Sequence, residues 1–431
     1  MILKKKIFNL NTIAIFLIAI VFFASFSSNK ASYRIEGWES RTLIAPSFVK
    51  LDLNDLTTYN NEEKLLPFFE KMENLVFNGE GRISILHMGG SHVQGGFLTD
   101  RLRYNFSSLT YGVKGERGFV FPYKIAGTNS PYSIKCNWRG NWSGCRSSVS
   151  THDCDWGMSG ISAITSDDQA SFEIMVSDID STFFESNVVT IYHNGNEDYE
   201  IIPDSSMMLV EIARNMEDGY DVFTFAKSYD SFRFNIKKCV DQSSSFILQG
   251  IYFGDTDRQG FTYNAIGVNG AGTYSYLRSS KFESQMNTIK PDLVFFGIGV
   301  NDANVPEGDF NQIGFEERYE RLMQMIRSSN KDAVFVFITN NDTYYQKRSP
   351  NKNAYKVQES MHRLAEKYDG AVYDLFTIMG GLGSIDDWKD AQLAASDRIH
   401  LTKKGYELQA DMMFEAFRKA FGDYLNEKYS N

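Results

Sequence analysis

Residues 83–88 form a short apolar run that ends in Gly89-Gly90, and helical spacing returns over 97–106, so a strand, a tight turn and a helix follow one another. Ser91 stands at that turn. Two further apolar runs of strand length, 293–298 and 333–338, have the continuous character of strands buried on both faces of a parallel sheet. Phe315, Tyr319, Leu322 and Ile326 fall on one helical stripe; Tyr406, Ala410, Met413, Phe417 and Phe421 mark another. Strands alternating with helices predict a doubly wound, three-layer α/β domain with a parallel sheet.

Residues 130–255 are patterned differently. Short runs at 172–176, 188–192, 220–225 and 232–236 are separated by Asn, Asp, Gly and Ser, which is all-β patterning. Because this stretch lies between the first strand-turn-helix unit and the next α/β unit, it predicts a β-sandwich inserted into the domain rather than appended to it. The α/β portion is then 61–129 and 256–431, opening with a helix over 61–77. Residues 28–60, weakly periodic, are expected to be a linker.

At 431 residues the chain has room for such a core and a second module, and 42% hydrophobic with 23% charged residues is a globular balance. The net charge of -10 argues against nucleic acid as a partner, since phosphate binding needs clustered Lys and Arg. Lys4, Lys5 and Lys6 before the apolar run 13–26 have the layout of an export signal, and they put the N-terminus on the cytoplasmic side. Counted from Leu10, the run approaches the roughly 17 residues of a spanning helix, so 1–27 is either a cleaved signal or, as favoured here, a membrane anchor. Either way the rest of the chain is expected outside the cytoplasm, in the periplasm or at the cell surface. Cys136, Cys145, Cys154 and Cys239 could form two disulfides there, or some could be buried thiols. The first three, nine apart, lack the close pair of a zinc site.

Ester cleavage through a covalent intermediate needs a hydroxyl, a base, a group to orient the base, and donors for the developing oxyanion. Four segments offer these parts. Gly89-Gly90-Ser91-His92 places a serine between a strand and a helix. Ile266-Gly267-Val268-Asn269-Gly270-Ala271 runs from a strand end into a glycine turn. Gly297-Ile298-Gly299-Val300-Asn301-Asp302 again follows a buried strand and presents an amide. Asp397-Arg398-Ile399-His400 sets a carboxylate and an imidazole on one turn.

In this order the four segments resemble the blocks of the SGNH (GDSL-type) hydrolases: Gly-Asp-Ser, a glycine, Gly-x-Asn-Asp and Asp-x-x-His. The resemblance implies a flavodoxin-like three-layer fold, with Ser91 as nucleophile, His400 as base and then acid, and Asp397 as its orienting partner. It further implies an oxyanion hole made of the N–H groups of Ser91 and Gly270 and the amide of Asn301. Gly90 stands where the family usually has aspartate. His92 could touch substrate or serve as a structural hydrogen-bonding group, and Asp302 is expected to support its loop. His87, His152, His193 and His362 show no metal-ligand spacing. Trp138, Trp142 and Trp156 could form a sugar-stacking face, but core packing accounts for them more simply.

The inserted β-sandwich makes the chain similar to exported cell-wall esterases of the peptidoglycan O-acetylesterase kind. The expected function is removal of O-acyl, foremost O-acetyl, groups from a cell-surface or environmental polysaccharide, with the insertion gripping the acylated glycan. No cofactor or metal is implied, since the chain supplies every group. The alternatives are an O-acetyltransferase with the same triad, or a non-catalytic glycan-binding or envelope protein that kept the fold. The sequence leaves oligomeric state open.

Overall fold

The computed structural model describes residues 43–59, 65–109, 115–179, 183–240, 243–255 and 259–429. The expected signal or anchor, 1–27, lies outside them. Among the described residues no helix is long and apolar enough to cross a membrane.

Strands form where the apolar runs fall. β1 (Leu56–Thr58) and β2 (Arg82–Gly89) come first. Eleven strands of the insertion follow: β3 (Gly118–Val120), β4 (Ile134–Arg139), β5 (Ser143–Arg146), β6 (Ile161–Thr165), β7 (Gln169–Val176), β8 (Ser186–His193), β9 (Tyr199–Pro203), β10 (Leu209–Asn215), β11 (Tyr220–Tyr229), β12 (Ser231–Lys238) and β13 (Phe246–Gly254). β14 (Gly260–Gly267), β15 (Leu293–Gly297), β16 (Val334–Ile338), a short ribbon of β17 (Tyr344–Tyr345) with β18 (Ser349–Pro350), and β19 (Ala371–Tyr373) complete the set.

The α/β sheet has the order β1-β19-β16-β15-β2-β14. Every pairing in it is parallel except β1 with β19. Without β1, the strands numbered by chain position read 2-1-3-4-5, the flavodoxin-like order, whose reversal lies between β2 and β15. β16 is buried throughout, as its unbroken apolar run requires. Helix Gln312–Arg327, capped by the Asn311 side chain, buries Phe315, Tyr319, Leu322 and Ile326. The expected doubly wound α/β domain is thus borne out.

The insertion builds two antiparallel sheets, one of seven strands (β10-β11-β8-β13-β6-β5, with β3 on β13) and one of four (β4-β7-β12-β9). On β12, Phe232, Phe234 and Ile236 are buried while Arg233, Asn235 and Lys237 face out. Phe234 and Phe232 meet Phe223 of β11 and Phe253 of β13, with ring centroids 5.1 and 5.3 Å apart, so the sheets pack as a sandwich. Two boundary expectations need correction. The sandwich begins at β3, before residue 130, because β13 offers an edge that Gly118–Val120 pairs with. Part of the expected linker belongs to the sheet, since β1 hydrogen-bonds along β19. One disulfide forms, Cys145–Cys154, while Cys136 and Cys239 are free thiols. Nor does the insertion keep a core of its own. Leu43–Ala416 is one compact unit, and a single cluster of buried side chains runs from Phe172 and Phe234 to Met88, Ile266 and Phe296.

Candidate active site

The candidate residues gather at the carboxyl ends of the parallel strands, around the point where the strand order reverses. β2 ends at Gly89, and the short helix Ser91–Gln94 starts at once, its Val93 and Gln94 N–H groups donating to Gly90 O at 3.2 and 3.0 Å. That helix rides directly on the sheet: a Cβ on Gly267 at the end of β14 would lie 2.4 Å from Gln94 N. Only glycine permits this approach. Tyr276 Oη donates to Gly89 O at 2.6 Å and fixes the turn from the side.

Ser91 Oγ lies 2.8 Å from His400 Nε2, and His400 Nδ1 lies 2.7 Å from Asp397 Oδ2. Asp397 Oδ1 also accepts the backbone N–H groups of Ile399 and His400, each at 3.0 Å. Partial burial pushes the Asp397 carboxyl up. The bonds from the His400 ring and from these two N–H groups outweigh it and hold Asp397 below the usual carboxylate range. The 397–400 turn is itself tied down. Arg398 takes a left-handed φ of 56° and its Nε reaches Asp386 Oδ1 at 2.6 Å. Tyr344 N donates to Arg398 O, and Asn341 Nδ2 to Ile399 O, both at 2.9 Å.

His92 serves the structure rather than the solvent side. It is stacked on His400 with centroids 5.1 Å apart, and its Nδ1 lies 2.8 Å from Tyr406 Oη. Burial first, then the neighbouring His400, pushes its pKa down to about 3, so a neutral ring backs the His400 imidazole. Its Nε2 is buried with no hydrogen-bond partner among the described residues, and His92 and His87 both line a cavity of about 30 Å³. His87, buried against Tyr263 Oη at 2.8 Å, is likewise held to about 3 by burial alone.

The amide of Asn301 enters from the end of β15. Its Nδ2 donates to Ala271 O at 2.9 Å, and a Cβ on Gly90 would lie 3.1 Å from that same nitrogen. The Ser91 turn, the glycine loop and the asparagine loop therefore touch, and Gly90 leaves the room for it. With glycine at position 90 the turn is held by Tyr276, and Gln94 ties it to the glycine loop, its Oε1 accepting the Asn269 N–H at 2.6 Å. Among the described residues, no acceptor takes the N–H of Ser91 or of Gly270. Asp302 accepts Thr273 N and Thr273 Oγ1 at 3.0 and 2.7 Å, with Arg318 Nη2 at 3.5 Å, and so braces the loop after Gly270. The three tryptophans do not make one face: Trp156 is buried, Trp142 packs on Phe246, and Trp138 is exposed.

Sequence reasoning missed Gln94, Tyr276, Asn341 and Tyr406. Only Gln94 carried a signal, lying one helical turn after Ser91; the others act across the fold.

The GDSL-like lipase/acylhydrolase family matches residues 252–408, a stretch that holds Gly270, Asn301, Asp397 and His400 but not Ser91. Among solved structures, a peptidoglycan O-acetylesterase described as in action is 21% identical, with a TM-score of 0.67 over 85% of this chain and 99% of that one. The likeness therefore extends through the insertion. A lipase/acylhydrolase from Enterococcus faecalis, 20% identical, covers 37% of this chain and 77% of its own with a TM-score of 0.28. A GDSL-like lipase from Bacteroides thetaiotaomicron, 17% identical, covers 37% and 76% with a TM-score of 0.28. No curated protein matches the chain. The family's match lies on the very loops that meet Ser91, so over residues 252–408 the chain is similar to the GDSL-like lipase/acylhydrolases, enzymes that act on ester bonds.

Proposed function

We propose that this enzyme removes O-acyl groups, foremost O-acetyl, from a cell-surface or environmental polysaccharide, with Ser91 as nucleophile. The observation that carries the reading is the unbroken line of hydrogen bonds from Ser91 Oγ through His400 to Asp397. In it, His400 Nε2 takes the hydroxyl proton as Oγ attacks the ester carbon, and Asp397 stabilises the imidazolium that forms. The oxyanion is met by the N–H groups of Ser91 and Gly270 and by the Asn301 amide. His400 returns its proton to the sugar oxygen as the C–O bond breaks. Water, activated by the same imidazole, then attacks the acyl-enzyme, releasing the carboxylic acid and restoring Ser91.

The polysaccharide part rests on the insertion. A groove of about 320 Å³ on its four-stranded sheet is lined by Asn137, Arg139, Ser171, Glu173, Arg233 and Asn235, donors and acceptors suited to sugar hydroxyls. We place the enzyme outside the cytoplasm, held by its N-terminal segment, and expect a reporter fused after residue 60 to be active only there.

The test is acetate release from a panel of O-acetylated polysaccharides and from a chromogenic acetyl ester. Ser91→Ala and His400→Ala should each remove nearly all activity on both, and the double variant should be little worse than either, because nucleophile and base act as a unit. Substantial turnover by Ser91→Ala would overturn the mechanism. Turnover of the small ester alone would overturn the polysaccharide.

A further inference from the structure

The insertion reaches the loop that carries Gly270. Ser148, in the β5–β6 connection, donates its hydroxyl to Asn269 O at 2.8 Å. That carbonyl and the Gly270 N–H belong to one peptide unit. In a trans peptide the two point in opposite directions within a single plane. Whatever holds the carbonyl therefore also aims the N–H, and a hydrogen bond to the oxygen makes the N–H a stronger donor.

Ser148 is in turn held from several sides. The Cys145–Cys154 disulfide closes its loop. Arg278, just beyond the glycine loop, donates Nη1 to the carbonyls on either side of Ser148, Ser147 O at 2.6 Å and Val149 O at 2.9 Å, and Nη2 to His152 O. The guanidinium lies over the Trp156 ring at 4.5 Å. On the other face of Asn269, the preceding peptide is pinned by Gln94 from the Ser91 helix.

We infer that Ser148 is a positioning residue of the inserted sandwich that sets the direction of the Gly270 N–H toward the oxyanion. This rests on the hydrolytic reading above. A donor aimed by a fixed partner acts mainly when charge develops on the ester oxygen, so its loss falls on kcat and not on KM.

The experiment compares wild type, Ser148→Ala and Ser148→Thr on a chromogenic acetyl ester, together with the rate at which an aryl phosphonate modifies Ser91, followed by mass. Ser148→Ala should lower kcat and the phosphonylation rate alike by roughly three- to tenfold, the worth of one neutral hydrogen bond, with KM unchanged. Ser148→Thr, which keeps the hydroxyl, should recover most of both. Should Ser148→Ala fold poorly, reduction of Cys145–Cys154 in the wild-type protein reads the same effect, again on kcat. Wild-type kcat in a folded Ser148→Ala, or a change in KM alone, overturns the inference and leaves the hydrolytic reading standing. A wild-type protein inert to both ester and phosphonate overturns that reading, and this inference with it.

Discussion

Asn301 stands where two loops of the site meet. Its Nδ2 donates to Ala271 O, and the same nitrogen lies against Gly90 at the Ser91 turn. Asn301→Ala is therefore expected to lower kcat by about two to three orders of magnitude with a smaller change in KM, since an oxyanion donor counts most in the transition state. Steady-state kinetics on a chromogenic ester checks this, and a pure KM effect would move Asn301 into ester binding. Ser91, Asn301, Asp397 and His400 were legible in the sequence because each sits where a strand ends or a short turn begins, with its neighbours in a recognisable order. His92 was not. Its meaning depends on Tyr406, 314 positions away, and on burial that keeps its ring neutral.

Among the elements, the loop after β16 holds the 397–400 turn while carrying a strained charge of its own. Asp342 Oδ2 accepts Gly383 N at 2.9 Å and Ile385 N at 3.0 Å, yet burial exceeds what these N–H groups return and pushes the carboxyl up to about 6. Its value in an unfolded chain is about 3.9. The folded state thus holds this proton more tightly, and the stability it contributes below about pH 4 is lost as pH rises through about 6. Asp342→Asn can still accept the two N–H bonds but cannot ionise. Its melting temperature should gain on wild type as pH goes from 4 to 7, and parallel curves for the two proteins would show that Asp342 is ionised without penalty. At this scale the long apolar runs were read correctly, because periodicity needs length to show. β1 and β3, three residues each, were missed: so short a strand has no pattern and exists only through β19 or β13 beside it.

Across the whole molecule, the sandwich and the α/β layers share one core, although the sequence shows two distinct patterns. Replacing 118–254 by a short linker would remove the sandwich's share of that single buried cluster along with the Ser148 contact. The excised chain is expected to be insoluble or molten rather than a minimal esterase, and circular dichroism with a cooperative melt would show otherwise. The placement of β2 has one more consequence. It lies between β14 and β15, and both follow the entire insertion in the chain. On a ribosome adding about 5–20 residues per second, β2 waits on the order of ten seconds for either neighbour, its apolar edges open. Ser91 is thus among the first parts made and among the last to find its partner, since His400 arrives 309 residues after it. Until residue 400 is translated the line from Ser91 through His400 to Asp397 cannot form, and over that interval the open edges of β2 are free to pair with a wrong partner.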